Sequence, residues 1–218
     1  MSKKKKNSNY KGAPQKSGAN AKKSSNENKG AKISSQTLII IIACAAAVLG
    51  IVAGIISTTL AKRSVYVEMD FGEYGTILIE VDKNAAPKTA KNFISLVKSG
   101  FYDGLTIFRA QKNFVIQGGR NESVKLDPIY GEFNSNGHKN PISHQRGVIS
   151  MARSGEPDSA TSQFFICYSD ISYLDGGYAG FGTVVEGMDV IDSFLLLERD
   201  QNGKPAVPPV IATAEILK

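Results

Sequence analysis

The chain is 218 residues long, 42% hydrophobic and 21% charged, with a formal net charge of +6, which leaves room for one medium domain plus accessory segments. Charge is divided unevenly: residues 1–63 carry 12 Lys and Arg against one acid, Glu27, and stand at +11, whereas residues 64–218 carry 14 against 19 and stand at −5. A basic nucleic-acid-binding domain is excluded on that ground, and the two cysteines, Cys44 and Cys167, exclude a disulfide scaffold.

Residues 1–36 are Lys, Ser, Asn, Gly and Gln with almost nothing apolar. Such a stretch buries too little surface to offset chain entropy and is predicted to be disordered. From Leu38 to Ile56 there is no charge or strong polar group, and Ser57 to Ala61 extend the run to Lys62 and Arg63. That length matches the roughly 20 apolar residues of a bilayer-spanning helix, so residues 37–61 are predicted to form a single transmembrane helix. Ten lysines precede the span and only Lys62 and Arg63 follow it closely, which keeps the N-terminus cytoplasmic and puts the rest outside. A cleaved signal peptide ending near Thr59-Leu60-Ala61 is the competing reading; the long apolar run and long polar leader favour an uncleaved anchor. Gly50 and Gly54 form a G-x-x-x-G pair, a spacing through which two spans associate weakly.

From Val65 the apolar residues alternate. Val65, Val67, Met69 and Phe71 point one way, a turn follows at 72–75, and Ile77, Ile79 and Val81 resume, an antiparallel hairpin with one wet face. Pro87 opens a helix with Ala90, Phe93, Ile94 and Val97 on one face, and Gly100 sits where a C-terminal cap belongs. Short strands are predicted over 106–111, 114–117, 148–151, 164–167, 182–185 and 211–217, with a second short helix over 188–196. Many short strands and two helices indicate a mainly β fold, a closed or nearly closed barrel capped by helices. His138 and His144 have no neighbouring Cys, so no metal-ligand spacing appears; both fall in a polar loop and are expected to be solvated.

Two stretches are far more specific than composition. One runs from Gly100-Phe101-Tyr102-Asp103-Gly104 through Phe108-Arg109 to Phe114-Val115-Ile116-Gln117-Gly118-Gly119. The other joins Ser150-Met151-Ala152-Arg153, Ser162-Gln163-Phe164-Phe165, Leu174-Asp175-Gly176 and Phe181-Gly182 onward to Ile191. Together, in this order, they resemble the cyclophilin family of peptidyl-prolyl cis–trans isomerases over residues 65–217. The resemblance implies a closed eight-stranded antiparallel β-barrel with a helix at each end and a groove on its outer wall. It places Arg109 as the catalytic arginine, and Phe114, Val115, Phe165 and Leu174 as the proline pocket, where the second is usually Met. Gln117 and Gln163 match polar groups beside the arginine, and Ala152 and Arg153 match the segment that holds substrate through its main chain. Tyr173 stands where many members carry Trp, and Tyr178 where many carry a pocket His. The chain also has Ile107-Phe108 and Lys112-Asn113 where the family usually has Phe-His and Pro-Gly, and its loop 154–161 is one residue longer.

These residue types suit the chemistry. An X-Pro bond must cross a barrier of roughly 18–20 kcal/mol set by amide resonance, so no nucleophile, cofactor or proton removal is needed. A catalyst has only to favour the twisted amide, whose prolyl nitrogen regains a lone pair. Arg109 donating to that nitrogen discriminates transition state from ground state, with Gln117 expected to lock the guanidinium. The sequence therefore points to a prolyl isomerase that acts on proline-containing polypeptides outside the membrane. The alternative is a non-catalytic module holding such segments in the same groove. A hydrolase is disfavoured, because no nucleophile–base pattern is visible.

Overall fold

A computed structural model describes residues 64–217. The basic tail, the predicted span with its Gly50–Gly54 pair, and Lys62-Arg63 lie outside the described residues. Among those described, no helix is long and apolar enough to cross a membrane.

The alternation from Val65 becomes β1 (Ser64–Asp70), paired antiparallel with β2 (Thr76–Asp82). Val67, Met69, Ile77, Ile79 and Val81 are fully buried, while Tyr66, Glu68 and Thr76 are exposed. Helix α1 (Pro87–Lys98) buries Ala90, Phe93, Leu96 and Val97. Its N-cap, Ala86, has no hydrogen-bonding side chain to offer. A carboxylate from a distant loop substitutes: buried Glu132 accepts the amides of Lys88 and Thr89 at 3.0 and 2.8 Å, a negative group on the positive end of the helix. At the other end Gly100, at φ +67°, closes the helix as expected, with bonds from Gly100 N to Val97 O and from Phe101 N to Leu96 O.

The remaining elements are β3 (Ile107–Ala110), β4 (Val115–Gly118), β5 (Val148–Met151), β6 (Phe164–Cys167), β7 (Ala179–Glu186), α2 (Met188–Ser193) and β8 (Thr213–Ile216). The second helix thus ends earlier than 196, its last stretch Phe194–Leu196 tightening into a 3-10 turn. All eight strands form one curled sheet in the order β3-β4-β6-β5-β7-β2-β1-β8. Its concave side holds the core, where Phe93 packs against Tyr102, Phe164 and Phe181 at ring separations of 4.9–6.1 Å.

The expected closure of the barrel is incomplete. No ladder joins the outermost strands β3 and β8. The seam is spanned by a single isolated bridge, Thr106 to Val210, flanked by bonds from Ile107 N to Pro209 O and from Ile211 N to Leu105 O. Pro208 and Pro209 carry no amide hydrogen, so a continuous ladder cannot run through this segment, and the strand expected from Ile211 begins only at Thr213.

Candidate active site

Register builds the site. Arg109 on β3 lies opposite Gln117 on β4, Gln117 opposite Phe165 on β6, and Phe165 opposite Ser150 on β5. Cross-strand partners share a face, so one row of side chains crosses four strands on the convex side of the sheet. Residues two positions along join that face, which is why β6 is buried at all four positions. Phe164 and Ile166 enter the main core, while Phe165 and Cys167 form a second, smaller cluster with Val115, Val148 and Ile171. The β3–β4 turn that sets this register contains Asn113 at φ +58°, the only described non-glycine residue in the left-handed region. Gly119 is required on two counts: it lies at φ +79°, and a Cβ there would lie 2.7 Å from the Ser162 carbonyl and 2.9 Å from the Tyr102 ring.

Nine of the sequence-derived residues line one slot of about 160 Å³. Arg109 forms one side, and Phe114, Val115, Phe165 and Leu174 form the apolar walls. Gln117, Ala152, Arg153 and Tyr178 complete the rim. Gln163 is not among them; it faces an adjoining hollow with Gln117, Ala152 and Arg153, and its Oε1 accepts the Gln117 amide at 3.1 Å. Tyr173 is also outside the slot. It sits on the 3-10 turn Ser172–Leu174 with 74% of its surface exposed, while its neighbour Leu174 turns inward.

The guanidinium is held differently from expectation. Gln117, opposite Arg109 in register, gives its amide to Gln163, and Arg109 Nη2 instead donates to Gln111 Oε1 at 2.5 Å. Gln111 lies two residues along the same chain, on the same face, and reaches the guanidinium without crossing the sheet. The cation also lies 5.1 Å from the centre of the Phe114 ring, an attraction that fixes its plane at the edge of the slot. Arg153 is similarly anchored. Its Nε donates to Gly177 O at 2.9 Å, and its guanidinium lies between the rings of Tyr178 (4.8 Å) and Phe133 (5.1 Å). Tyr178 is thereby braced as a wall.

Beneath the slot lies an arrangement the sequence did not reveal. His144, expected to be solvated, is fully buried. Its Nδ1 is 2.7 Å from Asp175 Oδ1 and its Nε2 is 3.0 Å from Ser150 Oγ, and its ring stacks on Phe165 at 5.9 Å. Asp175 also accepts the His144 amide and the Ser143 hydroxyl. Burial pushes the Asp175 carboxyl up, but these hydrogen bonds and the histidine outweigh it and hold its pKa below the ordinary value. A Ser–His–Asp row of this kind can activate a serine, yet Ser150 is wholly buried and offers nothing to an acyl group. Its role is support for Phe165. His138 is half-buried rather than solvated, with Nε2 2.9 Å from Ala85 O. Cys167, under the same cluster, has its thiol pushed up to about 12 by burial and by the Asp175 charge, and is inert as a nucleophile. Among the described residues no group of three or more His, Cys, Asp or Glu is placed to hold a metal ion.

A half-buried arginine over a phenylalanine-walled slot on the convex side of an eight-stranded sheet is thus in hand, and residues 66–216 match the family model "Cyclophilin type peptidyl-prolyl cis-trans isomerase/CLD". The chain belongs to the cyclophilin family. A peptidyl-prolyl cis-trans isomerase of Acinetobacter baylyi is 42% identical over 147 residues, covering 65% of this chain and 78% of the relative. Peptidyl-prolyl cis-trans isomerase A of Dickeya dadantii is 40% identical over 153 residues, covering 66% and 80%. Among solved structures, a cyclophilin-type isomerase of Cryptosporidium parvum superposes with a TM-score of 0.63 at 27% identity, covering 71% of this chain and 98% of that one. The same protein in the presence of the dipeptide Ala-Pro gives 0.61 at 29%, covering 70% and 99%. This cyclophilin therefore shares its fold with a structure determined alongside a proline dipeptide.

Proposed function

We propose that this cyclophilin is a membrane-tethered foldase that turns X-Pro bonds in polypeptides emerging on the outer side of the membrane. Isomerase activity goes with the family, and the slot accounts for it. The observation that carries the mechanism is Arg109 at the slot's edge, held by Gln111 and the Phe114 face. A proline ring seated between Phe114, Val115, Phe165 and Leu174 brings its nitrogen toward the guanidinium. In the planar amide that nitrogen's lone pair is delocalised and accepts nothing; in the twisted amide it is localised and accepts an N–H. A charge-assisted hydrogen bond of about 1.5–3 kcal/mol made only there is a gain of roughly one to two decades. The rest comes from gripping the ring while the preceding carbonyl swings through a less solvated space.

Arg109→Ala is expected to lower kcat/KM in a protease-coupled proline-peptide assay by about 10- to 100-fold. Activity unchanged by the substitution would overturn Arg109 as the catalytic residue, and a wild-type chain that binds the peptide without turning it over would leave the groove as a non-catalytic holder of proline segments.

The tether and orientation are supported by the uncharged run at 38–56 and the ten lysines before it. Protease added to intact cells is expected to digest residues 64–218 while sparing an N-terminal fragment. Protection of the whole domain until the cells are lysed overturns the outward placement.

A further inference from the structure

The side of Arg109 turned away from the proline slot forms part of a second hollow, of about 460 Å³, which it shares with Arg120, Gln111, Gln201 and Asn202. We infer that this hollow selects polypeptides bearing an acidic side chain within about three residues of the proline, with Arg120 as the specificity-determining residue. The inference rests on the isomerase reading of the neighbouring slot.

Four observations carry it. Among the described residues no carboxylate lines the hollow. The nearest acid in sequence, Asp200, is turned into its own loop, where Oδ1 accepts the amides of Asn202 and Lys204 at 2.8 and 2.9 Å. Among the described residues the ion pairs are His144–Asp175 and Arg146–Asp192, so neither Arg109 nor Arg120 has its charge matched within the domain. Arg120 is also pre-positioned: its guanidinium stacks 4.3 Å from the centre of the Phe108 ring, so a ligand does not have to immobilise a free side chain. The planar fork faces a space that amide side chains make polar without neutralising it, and a carboxylate is the group such a fork grips in two places. The setting sharpens the contrast, because residues 64–218 carry a net charge of −5 and the two adjacent cations stand out locally.

The test uses the full-length chain in detergent and peptides that differ only by Glu, Gln or Lys at each of the three positions on either side of a single proline. Both kcat/KM and Kd are measured at about 20 mM and about 500 mM salt. Glu is expected to exceed Gln about threefold to fivefold at one or more positions at low salt, with Lys below Gln and the ratio shrinking at high salt. R120Q should bring the Glu/Gln ratio close to one, R120E should invert it, and R120K should keep most of it. A ratio of one at all six positions, or one that survives both R120Q and R120E, overturns the proposal. If even the Gln peptides are not isomerised, the isomerase reading fails separately, and the Kd ratios judge this proposal by the same criteria.

Discussion

Two hollows on opposite parts of the same sheet differ in a way that volume alone would misjudge. The slot beside Arg109 holds about 160 Å³. The depression formed by β1, β2, β7 and β8 holds about 710 Å³. Among the described residues the larger one is lined by Tyr66, Leu78, Val185 and Leu217 with a single charged residue, Glu186, and no cation. The smaller one has aromatic walls, a cation pinned by an amide and a ring, and a buried hydrogen-bonded row under its floor. A site comes from polar groups converging on a shaped apolar space, backed by side chains that cannot move; an apolar dent with free rims has neither.

That contrast can be broken in order of effect. Arg109→Ala should cost about 10- to 100-fold in kcat/KM, whereas Tyr66→Ala in the larger hollow should change it less than about twofold; a comparable loss from both would erase the distinction. Next, His144→Ala removes the ring that stacks on Phe165 and leaves Ser150 Oγ buried without its partner. Urea unfolding should show a loss of about 2–4 kcal/mol, with KM raised as the Phe165 wall loosens. Asp175→Asn is milder, because the carboxylate is part-exposed: about 1 kcal/mol at pH 7.

The pH dependence has a definite sign. The folded-state pKa of Asp175 lies below its unfolded value near 3.9, so its contribution is fully present above that value and is lost as pH falls through the folded pKa. Wild type and Asp175→Asn should therefore differ at pH 7 and converge in parallel urea titrations as pH falls past the unfolded value and through the lower folded one. The smallest effect is expected from Val185→Ser, within about 0.5 kcal/mol and without change in activity, since 45% of that side chain's residue surface is already in water.

What the sequence made legible follows from periodicity and from motif. Alternation at 65–81 marked β1 and β2, helical spacing and Gly100 marked α1, and the long motifs brought Arg109, Phe114, Val115, Phe165 and Leu174 to one slot. The unread parts depend on loops that carry no period. Glu132 caps α1 from more than 40 residues away, His144 meets Asp175 across 31 residues, and Arg153 reaches Gly177 across 24. A histidine in a Ser/Asn/Gly-rich stretch gives no sign that the stretch folds inward over a strand. Gln111 was missed for a local reason: the motif offered Gln117 as the partner of Arg109, yet Gln117 gives its amide to Gln163, and Gln111, just past the end of β3, accepts from the guanidinium. The barrel's open seam was signalled by Pro208-Pro209, two missing donors in a segment otherwise read as leading into a strand.

The first and last strands of the domain are neighbours, with β1 paired to β8 and the Leu217 amide donating to the Tyr66 carbonyl at 3.0 Å. The domain's two ends therefore leave the fold side by side, several strands away from β4 and β6. A short covalent splice between them, with new ends cut in an exposed loop elsewhere, would preserve every strand pairing, so circular permutation is a practical way to move the domain's two ends away from the β1–β8 edge.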